Sequence, residues 1–127
     1  MGPVLVDSSV WVHHFRRRDG TLVALLQSDR VLTHPMVIME LACGTPPEPR
    51  SQTLSDIELL QSAAHASMAE LRYLIEREKL YGLGCGPVDL TLLASTMLTP
   101  AAQLWTLDKK LDALAKRFGL SYRPSVH

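Results

Sequence analysis

Cysteine is nearly missing from the 127 residues: only Cys43 and Cys85 occur, each isolated among small or apolar neighbours. That excludes a disulfide framework or a zinc knuckle and predicts two buried free thiols suited to a reducing compartment. An excess of either charge is missing too. Thirteen Lys and Arg balance 13 Asp and Glu, so no global field draws the chain toward nucleic acid. No apolar run approaches the roughly 18 residues of a membrane-spanning helix. Met1 to Phe15 has neither the basic start nor the apolar middle of a secretion signal, so a cytoplasmic protein with no membrane association is expected. Repeats and low-complexity segments are absent. What is present, 46% hydrophobic residues, suffices for one core, and a single domain over 1–127 is expected.

Short β-rich runs alternate with helical periodicity. Val4-Leu5-Val6 reads as a strand, after which Ser8 or Ser9 caps a helix through Trp11, Val12 and Phe15. Asp19-Gly20 precedes a second helix, Val31-Leu32-Thr33 is a second strand, and Pro35 opens a helix from about Met36 to Cys43 that stops at Gly44. Leu54, Ile57, Leu60 and Gln61 mark a helix, and Met68 to Leu80 another, together suggesting an exposed helical hairpin. Past the pliant Gly82, Gly84 and Gly86, Pro87 starts a helix to Leu98. Leu104-Trp105-Thr106 reads as a strand, Lys109 to Phe118 as a helix and Leu120 to Tyr122 as a last short strand. The alternation predicts an α/β fold around a mainly parallel sheet, in which ligands gather beyond the carboxyl ends of the strands.

Three acids stand in the wrong company. Asp7 is the only charged side chain between Met1 and Phe15, Glu40 the only one between Val31 and Pro47, and Asp89 the only one between Gly82 and Leu107. The helix around Glu40 has no obvious polar face, which predicts that it is buried all round. An unpaired buried carboxylate costs several kcal/mol as an order of magnitude, so it protonates or finds a cation. A shared divalent ion neutralises several at once, and all-oxygen ligands suit Mg2+ or Mn2+. Asp108, two positions past a strand, completes the set. Singly, Asp7 and Asp108 read equally as helix caps, Glu40 as the partner of a distant arginine and Asp89 as a first-turn acid. Asp112 lies four residues before Lys116 and reads as half of an exposed i,i+4 pair.

Other signals are weaker. Arg16, Arg17 and Arg18 form one basic cluster, and Lys109, Lys110, Lys116 and Arg117 a second; either is a solvated surface or a guide for a phosphate backbone. Gly82 to Gly86 lacks the Lys-Ser/Thr ending of a phosphate-binding loop, so no nucleotide is inferred. His13 and His14 lack ligand spacing, His34 reads as structural, and Trp11 and Trp105 read as core anchors.

The motifs carry a resemblance. Val4-Leu5-Val6-Asp7-Ser8-Ser9-Val10-Trp11, Met39-Glu40-Leu41, Gly86-Pro87-Val88-Asp89 and Leu104-Trp105-Thr106-Leu107-Asp108-Lys109-Lys110-Leu111 resemble, in order and spacing, the acidic motifs of PIN-domain ribonucleases of the VapC toxin family. The resemblance spans nearly the whole chain. It implies a three-layer fold with a short mainly parallel central sheet flanked by helices, a homodimer, cleavage of RNA with Mg2+ or Mn2+, and inhibition by a cognate antitoxin. Ser62 to Ala66 departs from it, because the family has a short strand there and these residues are poor strand formers. On this reading Asp7 and Asp89 contact or bridge metal, Glu40 and Asp108 hold it directly or through water, and Ser9 or Thr106 orients a phosphate or a ligating side chain. Hydrolysis by activated water would leave 5′-phosphate and 3′-hydroxyl ends. Arg16 to Arg18, Lys109 and Lys110 would guide the RNA. Two alternatives remain: a magnesium-dependent phosphatase with Asp7 as nucleophile, for which Ser9 stands where a second acid is expected, and a non-catalytic module that docks a partner on the helical hairpin.

Overall fold

The structure is a computed structural model and describes residues 1–124. Its elements follow in the order β1 (Val4–Val6), α1 (Ser8–Arg16), α2 (Gly20–Gln27), β2 (Val31–Thr33), α3 (Pro35–Ala42), α4 (Arg50–Glu58), β3 (Gln61–Ser62), α5 (Met68–Glu78), α6 (Pro87–Leu98), β4 (Gln103–Trp105) and α7 (Lys109–Arg117). The four strands form one parallel sheet in the order β3-β2-β1-β4. Val4, Leu5 and Val6 are all buried, as expected of a central parallel strand covered on both faces.

Each crossover is helical, and the helix starts follow local chemistry. Asp19 caps α2 by accepting from the N–H groups of Thr21 and Leu22, and Ser67 and Glu70 form a capping box on α5. His34 caps α3 through Nδ1, with Pro35 in its first turn. α6, apolar nearly all round, buries Leu90, Leu92, Leu93 and Ala94 and packs against α5, α7 and β4. Trp11 and Trp105 are buried in the core. No helix among the described residues is long and apolar enough to cross a membrane.

Several expectations need correction. The helix over Leu54 to Gln61 stops at Glu58, and Gln61–Ser62 is instead β3, paired with Leu32 and Thr33 of β2. Pairing with a formed strand edge outweighs the weak strand propensity of these residues. The helical hairpin is absent: α4 packs on α3, and α5 on α6. Leu120 to Tyr122 contributes one parallel bridge, between Leu104 and Ser121, rather than a strand. Neither Ser8 nor Ser9 is the cap of α1, a position held by Asp7. Both thiols are free, but Cys43 is exposed and Cys85 only half-buried, because neither the end of α3 nor the glycine loop is covered by another layer.

The chain passes from β1 outward through β2 to β3, then returns across the sheet to place β4 on the other side of β1. The direction of winding reverses between β1 and β4, and at such a switch the loops leaving the carboxyl ends part to form a crevice. Asp7 leaves β1 there, and Thr106 leaves β4. The core of this arrangement is testable. Leu93, wholly buried in α6, should cost roughly 2–5 kcal/mol when changed to Ala, whereas Leu59→Ala, at an exposed position, should stay within about 0.5 kcal/mol in urea unfolding.

Candidate active site

Asp7 sits at the N-cap position of α1, yet its side chain caps nothing. Instead Oδ2 accepts hydrogen bonds from Ser9 Oγ at 2.6 Å and Thr106 Oγ1 at 2.8 Å. The two hydroxyls are themselves pinned. Ser9 Oγ accepts from the Leu107 N–H at 3.0 Å and Thr106 Oγ1 from the Asp108 N–H at 3.0 Å, so each hydroxyl has its own proton left to give to the carboxylate. The Asp7 N–H also donates to the Trp105 carbonyl at 2.9 Å. Asp7 is 4% exposed, and its Oδ1 takes no hydrogen bond from the described residues yet is not sealed from solvent.

Three further acids surround it from other elements. Glu40, on α3, accepts from Ser8 Oγ at 2.9 Å through Oε1. Its carboxyl is raised above the ordinary range, first by desolvation and then by the charges of Asp7 and Asp89, with the Ser8 bond pulling the other way. Asp89, in the first turn of α6, is raised by burial and then by Asp7 and Asp108, against a hydrogen bond from the Gly86 backbone. Asp108 caps α7, its Oδ1 accepting from the Leu111 N–H at 2.9 Å. The fold thus brings all four acids of the sequence reading within electrostatic reach of one another.

Their burial differs from expectation. Only Asp7 is buried; Asp89 is half-buried, and Glu40 and Asp108 are exposed. α3 buries just Val37 and Leu41 and leaves Met39 57% exposed, because only one face of the helix meets the fold. Partial burial still raises Glu40 and Asp89 most, and the charges of Asp7, Asp89 and Asp108 add to it. Among the described residues no three Asp, Glu, His or Cys side chains close into a ready-made coordination set. The donor chemistry nonetheless suits a hard divalent cation: carboxylate oxygens only, one oxygen of Asp7 immobilised and the other free of hydrogen bonds, and two neighbours whose pKa values are lifted by burial and then by like charge.

The remaining candidates divide. Asp112 pairs with Lys116 at 3.2 Å and accepts from Ser121 Oγ at 2.6 Å, which commits it to the end of α7. Arg16, Arg17 and Arg18 are exposed at the far end of α1, about 13 Å along the helix from Asp7 at 1.5 Å per residue. Lys109 and Lys110 lie in the first turn of α7, directly after Asp108. The Lys110 side chain runs across Gly84, whose φ of +85° and lack of a Cβ leave room for it. Its charge bears on the Cys85 thiol, which burial, Asp89 and Asp108 push up. Sequence reasoning missed Ser8 as the partner of Glu40 and Cys85 as a neighbour of the acids. Their only signal was proximity in sequence to Asp7 and Asp89.

Comparison with known proteins identifies the family. Residues 4–117 match the family model described as PIN domain. The chain is 39% identical over 123 residues to Ribonuclease VapC32 of Mycobacterium tuberculosis, from both strain CDC 1551 / Oshkosh and strain H37Rv, covering 97% of this chain and 98% of the relative. Its fold superposes with a TM-score of 0.67 on the 2.2 Å structure of VapBC-1 from nontypeable Haemophilus influenzae, at 12% identity, covering 94% of this chain and 96% of that one. The chain belongs to the PIN-domain VapC ribonuclease family.

Proposed function

We propose that this chain acts as the toxin of a toxin–antitoxin pair, a single-domain endoribonuclease over 1–127 that uses Mg2+ or Mn2+ to hydrolyse RNA phosphodiester bonds to 5′-phosphate and 3′-hydroxyl ends. The observation that supports this reading is that Asp7, Glu40, Asp89 and Asp108, from four different parts of the chain, are electrostatically linked, with Asp7 held through one oxygen by Ser9 and Thr106. Near identity in length to a protein named Ribonuclease VapC32 supports it.

Each residue has a distinct task. Asp7 and Asp89 hold the ion. Ser9 and Thr106 fix the Asp7 carboxylate through Oδ2 and leave Oδ1 free of hydrogen bonds, a rigidity that lets one oxygen serve as a ligand without first being ordered. Glu40 is steadied through Oε1 by Ser8, which leaves Oε2 for the ion or for a water bound to it. Asp108 spends Oδ1 on the α7 backbone and contributes through Oδ2. A divalent ion held here supplies Lewis-acid charge that eases deprotonation of water and offsets negative charge on the phosphate. Lys110 and Lys109, beside Asp108, take the RNA backbone more directly than the distant Arg16, Arg17 and Arg18. The partners proposed are a cognate antitoxin, in keeping with the VapBC-1 complex that the fold resembles, and a second copy of the chain, in a cytoplasmic setting.

The first test compares wild type with Asp7→Asn on structured and unstructured RNA, with EDTA, Mg2+ or Mn2+. Wild type should cut only with added metal and leave 5′-phosphates, and the variant should lose at least about a hundredfold, in line with mutations at metal sites. Cyclic phosphate ends or cleavage in EDTA would overturn the metal-activated water mechanism. Asp108 separates chemistry from capping: Asp108→Asn keeps a cap acceptor and should lose activity at near-native stability, whereas Asp108→Ala should lose about 1 kcal/mol as well.

The raised carboxyls make a further prediction. Between the ordinary carboxylate range and their raised values, Glu40 and Asp89 hold protons in the folded chain that they release when unfolded. Stability in EDTA should therefore fall as pH rises through that window and then level off. Glu40→Gln and Asp89→Asn should flatten the profile and melt above wild type at neutral pH. Melting below wild type would mean that these carboxylates stabilise the metal-free fold. Activity should decline on acidification as the acids protonate, beginning above the range of an ordinary carboxylate.

A further inference from the structure

The end of β4 borders a cavity of about 460 Å3 that the proposed chemistry does not use. Trp105, Thr106 and Leu107 line it together with His13 of α1 and with Tyr122 and Arg123 of the chain beyond α7. Its volume falls in the roughly 300–1,000 Å3 range of sites that take a small ligand. Backbone pairing builds the wall. The Leu104 N–H donates to the Leu120 carbonyl at 2.7 Å and the Tyr122 N–H to the Leu104 carbonyl at 2.9 Å, and the Tyr122 ring stands 5.5 Å from that of Trp105. The cavity lies one residue from the candidate active site, because Thr106, part of its lining, also donates to Asp7 Oδ2 at 2.8 Å.

Donors in this lining lack acceptors. Trp105 is only 4% exposed, and its Nε1–H finds no acceptor among the described residues, yet that atom is not sealed from solvent as the Trp11 nitrogen is. A buried indole N–H normally has a partner, so a donor left open at a cavity wall points to a ligand. Arg123 has a side chain 66% exposed and comes no nearer than 4.0 Å to Asp112, beyond hydrogen-bonding distance. The two acids of the lining are already committed: Asp19 Oδ1 accepts from the N–H groups of Thr21 and Leu22, and Asp112 accepts from Ser121 Oγ and pairs with Lys116. What remains for a ligand is a guanidinium, an indole N–H and the apolar surface of the Tyr122 ring and of Leu107, itself 51% exposed. A nucleotide has the matching parts: a phosphate, acceptors along the edge of the base and a flat face.

We propose that this cavity seats a nucleotide of the RNA strand next to the one being cut, with its phosphate on Arg123 and an acceptor of its base on the Trp105 indole N–H. The inference rests on the nuclease reading for the identity of the strand, whereas occupancy of the cavity can be tested without cleavage. Single-stranded RNA is held in this manner, by unstacked bases laid on aromatic and apolar side chains and bonded along their edges. Such contacts need no excess of basic residues, which suits a chain of zero formal charge.

The experiment titrates trinucleotides of A, C, G or U into the full chain in EDTA and follows the indole N–H resonances of Trp105 and Trp11. Arg123→Gln, at an exposed position, should melt as wild type does. Trp105→Phe keeps an aromatic ring while losing the N–H, which identifies its resonance. At least one trinucleotide should shift the Trp105 resonance saturably and leave that of the sealed Trp11 in place, in wild type and in Asp7→Asn alike. Arg123→Gln should bind about tenfold more weakly, as expected for one lost charge-assisted hydrogen bond, and its salt slope should fall by about 0.7, the share of one phosphate on a single strand. Absence of a saturable Trp105 shift with all four trinucleotides overturns the proposal, and so does unchanged affinity in Arg123→Gln. A shift abolished by Asp7→Asn would put the binding at the acids and overturn it too. Failure of wild type to cut any RNA with Mg2+ or Mn2+ would overturn the nuclease reading alone, and the titration would still decide the cavity.

Discussion

The hold on Asp7 Oδ2 by Ser9 and Thr106 is the constraint from which the rest of the site follows. A buried carboxylate needs partners, and here they come from both sides of the switch in the sheet: Ser9 from the first turn of α1 and Thr106 from the end of β4. Because Leu107 and Asp108 feed their N–H groups into those same hydroxyls, the β4–α7 loop is bound to the β1–α1 junction at the point where the sheet's winding reverses. The cap of α7 then follows, since the residue whose N–H reaches Thr106 is the one whose carboxylate receives Leu111. Fold and site are therefore one hydrogen-bonded unit, and loosening Thr106 would free both the acid and the helix start.

Much of this was legible in the sequence, and the misses have physical causes. The run Val4-Leu5-Val6 followed by a lone acid gave both a central strand and its functional end, since a fully buried parallel strand must be apolar throughout and a charge at its end needs a reason. Pro35, Pro87 and the Asp19 and Asp108 caps placed four helix starts closely, because each acts through its own neighbours. β3 was not legible. Its two exposed residues form a strand only because Leu32 and Thr33 offer an open edge, which is a property of distant residues. The same holds for Glu40. An apolar helix looked buried all round, yet whether its second face meets another layer depends on how many elements the fold places there, and no periodicity records that. The partner of Glu40 was similarly hidden, as Ser8 lies 32 positions away.

His34 shows how a correct structural reading can still be incomplete. It does cap α3, as a structural histidine would, and that duty occupies Nδ1 alone. Occupying one nitrogen fixes the tautomer and leaves the proton on Nε2, which is sealed in the interior without a partner among the described residues, as is Thr33 Oγ1. Burial together with the nearby His65 lowers the His34 pKa, which keeps the ring neutral and preserves the tautomer.

Charge then decides what kind of recognition this edge can use. With 13 acidic and 13 basic residues the chain has no net field to gather a polyanion, and the carboxyl edge of its sheet is locally negative. A bare phosphate backbone is repelled there, so the cation of the proposed function would have two tasks, to cancel the local charge and to act on the phosphate. Arg16 to Arg18 cannot offset that repulsion from the other end of α1, given a screening length of about 8 Å at physiological ionic strength. Lys109 directly follows Asp108, and Lys110, laid across Gly84, bears on Cys85 together with Asp89 and Asp108.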